Sequence, residues 1–287
     1  MKNRHFARRS IEESIFKTLM LFAFGLVVIS LGFILLTILI RGLPALNLAM
    51  LTQTPKGGYY LGKEGGILNA IVGSLYLAVG GTLLALIFSL PLALFLQVYG
   101  GHSQLARPVR LSLDVMWGIP SIVYGAFGFT IMLALGIRAS LLGGILVLAL
   151  IELPIMTRAI DEVIRMMPQE LEQASFALGA NRYETAIHVV TRQIVPGIVT
   201  AVFLAFGRGI GDAAAVLFTA GYTDRLPTSL LRPVASLPLA VFFQLGTPYP
   251  EVQQRAYAAA LVLTIIVLVL SLGARWLTGR MSKNIVR

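Results

Sequence analysis

Six stretches of the chain stay apolar long enough to cross a hydrocarbon core as helices, which takes roughly 20 residues each. They cover 18–40, 67–98, 112–135, 139–157, 194–222 and 256–275, with charged and polar positions gathered between them. The pattern predicts an all-α integral membrane protein of six transmembrane helices. The first run is too long, and lacks the small-residue cleavage site, for a removable signal peptide, so it is expected to remain as an anchor. An N-terminal arm of 1–17, a membrane domain of 18–275 and a tail of 276–287 follow from these limits.

Composition agrees with the pattern. Hydrophobic residues make up 57% of the 287 residues and charged residues 13%, where a soluble domain carries about a quarter charged. With no cysteine, disulfides, thiolate nucleophiles and cysteine metal sites are all excluded. His5, His102 and His188 are too scattered to suggest a metal cluster. A net charge of +10 would suggest nucleic acid in a soluble protein, but here the basic residues lie at the chain ends and between spans, so no nucleic-acid partner is expected. With the N-terminus inside, about 15 Lys and Arg fall on inner segments and 7 on outer ones. That bias places both termini in the cytoplasm.

The outer connections carry structure of their own. Pro227, Pro233, Pro238, Pro248 and Pro250 surround an apolar segment, VASLPLAVFFQL, too short to span and read as an interfacial or re-entrant helix that could cap the outer mouth of a pathway. In the first outer loop, Gly57, Gly62 and Lys63 match the spacing of a phosphate-cradling P-loop. Glu64 stands where Ser or Thr would ligate magnesium, no strand precedes it, and the topology puts it on the wrong side for ATP. The chain is therefore not expected to hydrolyse ATP itself.

The most unusual segment is 167–198, a polar interlude on the cytoplasmic side. Pro168 suits the first helical position, Glu170 and Glu172 complement the helix N-terminus, and Gly179 falls where a left-handed cap ends the helix. Leu171, Ala174 or Ser175, and Leu178 recur at helical spacing. Asn181 and Glu184 then have capping-box spacing for a second short helix, with Tyr183, Ile187 and Val190 as its apolar stripe. Such a glycine elbow is either an amphipathic hairpin on lipid headgroups or a docking knob for a soluble protein. The small residues Ala174, Ser175, Ala177, Gly179 and Ala180 favour docking, because they allow close backbone approach.

Gln173-Ala174-Ser175, three residues and then Gly179 resemble the EAA loop of ATP-binding-cassette (ABC) importer permeases. Asp114, Ile119-Pro120-Ser121-Ile122-Val123-Tyr124-Gly125, Leu153-Pro154-Ile155, Arg208 with Gly211-Asp212, Leu217-Phe218-Thr219-Ala220 and Pro233-Val234-Ala235-Ser236-Leu237-Pro238 narrow the likeness to the phosphate-specific permeases of that class, from Gly65 onward. The sequence departs from the pattern at Gln173, where the EAA glutamate would stand, at Thr191-Arg192 in place of Leu-Pro, and at Asp212 in place of glutamate.

The resemblance implies a type I importer permease fold in the cell inner membrane and a non-catalytic subunit, with no cofactor of its own. Gln173, Ala174, Ser175 and Gly179 would couple to one of two ATP-binding-cassette ATPase subunits, which would bind ATP and magnesium. A homologous second permease would complete the pathway, and an extracytoplasmic phosphate-binding protein would deliver the substrate.

Arg208 and Asp212 are the candidate pathway residues. A charge within a span is costly, and their spacing of four places both on one helix face, so an intrahelical salt bridge is the ordinary reading. The functional reading is that Arg208 offers a permanently charged planar fork to phosphate, with Asp212 holding it and weakening the attraction enough for release. Gly207, Gly209 and Gly211 would admit a neighbouring helix or the anion. Asp114 is expected to pair with Arg110, and Glu152 to snorkel or hydrogen-bond locally. Two other functions remain open: an ABC permease for another oxyanion or nutrient, and an ion-coupled secondary transporter using Asp212 or Glu152, which would usually show an internal repeat. No repeat is visible.

Overall fold

The computed structural model describes residues 2–56, 64–100 and 104–281. Its long helices are α1 (Lys2–Gly42), α3 (Leu68–Leu94), α6 (Leu141–Arg165), α9 (Thr191–Ile210) and α12 (Pro250–Met281). Shorter ones are α2 (Leu48–Thr52), α4 (Ala106–Gly118), α5 (Ser121–Ala134), α7 (Gln169–Ala177), α8 (Arg182–Glu184), α10 (Val216–Thr219) and α11 (Leu237–Leu245). Among the described residues five helices are long and apolar enough to cross a membrane, and six if the bent pair α4–α5 is one span. The six-span expectation is met in that second form. Helix α1 continues through residue 17 without a break, and the P-loop-like Gly57, Gly62 and Lys63 lie outside the described residues.

Helix α6 is the hub. It packs along α3 on one side and α9 on the other. Ser140 caps its N-terminus by accepting from the Gly143 N–H. The α3 face turned to it is made of small residues, including Ala78, Gly81, Ala85 and Ser89, so the two backbones approach closely. By contrast, the apolar stretch of α1 is unburied, and its Gly42 end meets the bundle at the Tyr257 carbonyl of α12. We call the end carrying α7 the elbow end, and the opposite end, where α6 begins, the far end.

The structure corrects two predicted spans. The run 112–135 is two helices meeting at 103°. Ile119 precedes Pro120, and the proline ring drives it out of the helical region to φ −75°, ψ 127°. The Tyr124 hydroxyl then bridges the break by donating to the Met116 carbonyl at 2.8 Å. The run 194–222 is also discontinuous, because α9 ends after Ile210. Three glycines weaken its last turns, and Asp212 Oδ1 accepts from the Ala215 N–H at 2.8 Å, starting a new turn.

The proline-rich loop is re-entrant. Residues Val234 to Ala240 are buried, Ser236 caps α11, and the Leu237 N–H donates to Ser74 Oγ of α3 at 2.7 Å. A surface helix would leave one side wet; this segment is enclosed by α3 and α12.

Candidate functional site: the elbow and the mid-span charge pair

The elbow forms for local reasons that survive folding. Pro168, at φ −57° and ψ 126°, is the N-cap of α7 rather than its first helical residue. Gly179 has φ +87°, a left-handed conformation open to glycine and costly for residues with a Cβ. Its N–H reaches the Phe176 carbonyl at 2.9 Å and the Ala180 N–H reaches Ser175 O at 3.2 Å, closing the helix end. Asn181 and Glu184 form the full reciprocal capping box, at 2.9 and 2.8 Å. The second element is not a separate helix: α8 passes through a wide-turned segment, Thr185–Val190, directly into α9. One unbroken helical run, Arg182–Ile210, therefore joins the elbow to Arg208.

Side chains divide by role. Gln173, Ala174 and Gly179 are exposed, whereas Ser175 is buried and shares a hydrogen bond of 2.9 Å with Thr185 Oγ1. Ser175 thus holds the two arms of the elbow together. The expected apolar stripes divide: Leu178 is 90% exposed and Tyr183 and Ile187 are exposed, as is Phe176 beside them, whereas Leu171 is half-buried and Val190 is buried. Arg182 anchors the elbow to the segment Phe95–Tyr99 that follows α3, donating to the Val98 carbonyl at 3.3 Å and lying over the Tyr99 ring.

Beneath the elbow is a charge cluster that spacing alone missed. Buried Asp161 receives Arg165 at 3.0 Å, Gln97 Nε2 at 2.8 Å and, more distantly, Arg110 at 3.7 Å. Arg110 therefore faces Asp161 rather than Asp114, and Asp114 pairs with Arg158. The reason is the bend in α4–α5, which lays α4 against α6. The i,i+4 spacing of Asp161 and Arg165 was a usable local signal for half of this cluster.

Arg208 and Asp212 form the second site, level with the middle of α6. Their closest oxygen–nitrogen distance is 3.4 Å. Asp212 is buried and fixed by the Ala215 N–H, while half of the Arg208 side chain, 51%, is exposed. The guanidinium borders a cavity of about 370 Å³ lined by Met116, Ser121, Tyr124 and Ile151, against the α4–α5 break. Gly209, the next residue and about 100° round the helix, faces Glu152 so closely that a Cβ there would overlap the carboxyl group. Glu152 does not snorkel; it is fully buried, with Thr82 and Asp212 as polar neighbours. Its position on α6, twelve residues from the N-cap, keeps it far from either end.

This contact sets a test. Gly209→Ala should force α6 and α9 apart at a cost of about 1–3 kcal/mol, as overpacking typically does. Thermal unfolding of the detergent-solubilised protein should shift down by several degrees, and Glu152→Ala in the same chain should restore part of the loss. An unchanged midpoint for Gly209→Ala would remove the close-contact assignment.

The arrangement can attract an anion to a charge within the membrane and can present an apolar, small-residue knob to a partner. Among the described residues no group of three or more His, Asp or Glu could hold a metal ion.

The backbone arrangement is that of an ABC importer permease. The permease of the MetNI methionine transporter, solved in inward-facing conformations, superposes with a TM-score of 0.62 at 17% identity, covering 75% of this chain and 95% of that one. A bacterial transporter importing alginate superposes at 0.52, with 14% identity over 89% and 95%. The chain belongs to the family of binding-protein-dependent transport system inner membrane components, which matches residues 89–286. Relatives named phosphate transport system permease protein PstA include one from Pasteurella multocida, 30% identical over 99% of this chain and 100% of that protein. One from Xylella fastidiosa is 36% identical over 85% and 84%. A PstA 1 from Mycobacterium tuberculosis is 33% identical over 93% and 88%.

Proposed function

We propose that the chain is the permease subunit of an ATP-driven importer that moves inorganic phosphate across the cytoplasmic membrane. The observation that carries this reading is the half-exposed Arg208 at mid-span. A guanidinium at that depth is expensive against lipid, by roughly 2.5–3.5 kcal/mol on insertion scales. The face bearing it therefore needs cover from protein and water, which a homologous second permease enclosing one pathway supplies. The names of relatives that span almost the whole chain support phosphate as the cargo.

The positive-inside count supports placing both termini and the elbow in the cytoplasm and the far end outside. The exposed Gln173, Ala174, Phe176, Leu178 and Gly179 form the surface for an ATP-binding-cassette ATPase, one beneath each permease. ATP and magnesium belong to that partner. An external phosphate-binding protein meets the far end. Closure of the ATPases pushes the elbow, and α8 to α9 transmit the movement to Arg208 as a rigid rod. There the planar fork donates its N–H groups to phosphate oxygens, and Asp212 competes for the same charge so that the anion leaves.

ATP-dependent uptake of labelled phosphate into vesicles holding the reconstituted complex is the test, with sulfate and molybdate as competitors. Uptake that needs ATP and resists both competitors is expected. Preferential uptake of another oxyanion would reassign the cargo while keeping the permease.

A further inference from the structure

A cavity at the far end with two arginines in its lining takes no part in the pathway as described so far. It measures about 890 Å³ and lies between the first outer loop and the loop that follows α10. Arg225 and Arg232 line it with Thr54, Thr223 and Thr228, against one carboxylate, Asp224. Among the described residues neither guanidinium has an ion-pair or side-chain hydrogen-bond partner. Two uncommitted planar cations among hydroxyls match the donors that tetrahedral oxyanions take.

The wall is a built structure. Asn69, fully buried on α3, donates to the Thr223 carbonyl at 2.7 Å. The first N–H groups of α6 are spent on the same loop: Leu141 N–H on the Arg232 carbonyl and Leu142 N–H on the Leu230 carbonyl, both at 2.8 Å. Those helix-end donors are therefore occupied, and the positive character of the cavity comes from the two guanidiniums. Held at three points, the loop presents them with little ordering left to do on binding.

Position gives the cavity its role. The chain runs from Arg208 and Asp212 through α10 to Thr223, so one continuous segment links the mid-span charge to the cavity wall. We propose that the cavity is a second oxyanion site, in which Arg225 and Arg232 hold the incoming anion before it reaches Arg208. The inference rests on reading the chain as an oxyanion permease. With two guanidiniums against one carboxylate the lining is net positive, and clefts of one predominant charge raise local counter-ion concentration and capture rates by about 10- to 1000-fold. Asp224 moderates the hold, as Asp212 does at mid-span.

The test uses the assembled importer in lipid nanodiscs, without binding protein or nucleotide, carrying Arg208→Gln to silence the mid-span site. Equilibrium binding of labelled inorganic phosphate, sulfate and molybdate is measured in parallel. Arg225→Gln with Arg232→Gln is expected to weaken anion binding at least tenfold, and Asp224→Asn to tighten it severalfold. Lysine at both arginine positions should restore part of the binding, which repair of a merely structural role would not predict. Affinities for all three anions that ignore both sets of changes overturn the site. Sulfate or molybdate binding that follows the pattern, with phosphate indifferent, supports the site and overturns phosphate as cargo. Unchanged anion affinity, together with lost attachment when binding protein is added to the same nanodiscs in a second measurement, overturns it in favour of a protein contact. Should the double variant fail to assemble, the Asp224→Asn affinity alone decides.

Discussion

Arg208→Gln is expected to lower phosphate uptake by roughly 10- to 150-fold while the complex still assembles. The size follows from losing one hydrogen-bonded charge in a poorly solvated site, about 1.5–3 kcal/mol, at 1.36 kcal/mol per tenfold in rate. Glutamine removes the charge and shortens the side chain but stays polar, and the turn held by the Ala215 N–H on Asp212 does not involve residue 208, so it is kept. Arg208→Lys should recover only part of the rate, because a point charge does not reproduce the bidentate fork. Asp212→Asn separates the two members of the pair. Asparagine can still accept from the Ala215 N–H, so only the negative charge is lost. Phosphate should then bind more tightly and leave more slowly, giving a lower KM together with a lower maximal rate. Uptake by Arg208→Gln at the parental rate, with normal assembly, would falsify the pathway role.

Gly179→Trp is the second large expected effect: uptake should fall more than tenfold and the ATPase should detach or run uncoupled, with the spans inserted as before. A Cβ at Gly179 meets nothing within 4 Å in this chain, so the bulk projects into open space where a partner would sit. The backbone adds a separate cost, because at φ +87° a non-glycine residue pays about 1–2 kcal/mol. Gly179→Ala carries that strain without the bulk and should lose far less uptake. Co-purification of the ATPase with each variant separates the two causes. Equal retention of ATPase and equal uptake in both would remove the docking surface from this loop.

Much of the elbow was legible because its signals are short-range. The Asn181–Glu184 box and the Gly179 cap each operate within one helical turn, and the structure reproduces both. Ser175 was harder: a small residue in an amphipathic stripe looks like part of a contact face, and only the fold of the elbow on itself turns it toward Thr185. For Glu152 the snorkelling alternative fails for a similar reason. Its sequence neighbourhood suggests a side chain that can reach the membrane surface, but the space made by Gly81 and Gly209 encloses it at the centre of three helices.

By itself the sequence determined the membrane class, the positions of the long apolar runs, the caps of the elbow and the i,i+4 relation of Arg208 to Asp212. These depend on hydrophobic length, backbone preferences and spacing along one helix. Only the tertiary structure decided that Asp114 meets Arg158, that Asp161 gathers Arg110, Arg165 and Gln97, and that the segment around Ser236 enters the bundle. Those outcomes depend on the 103° bend at Pro120 and on how closely α3, α6 and α9 pack. Side chains distant in sequence find partners through helix placement, which no single stretch of sequence encodes.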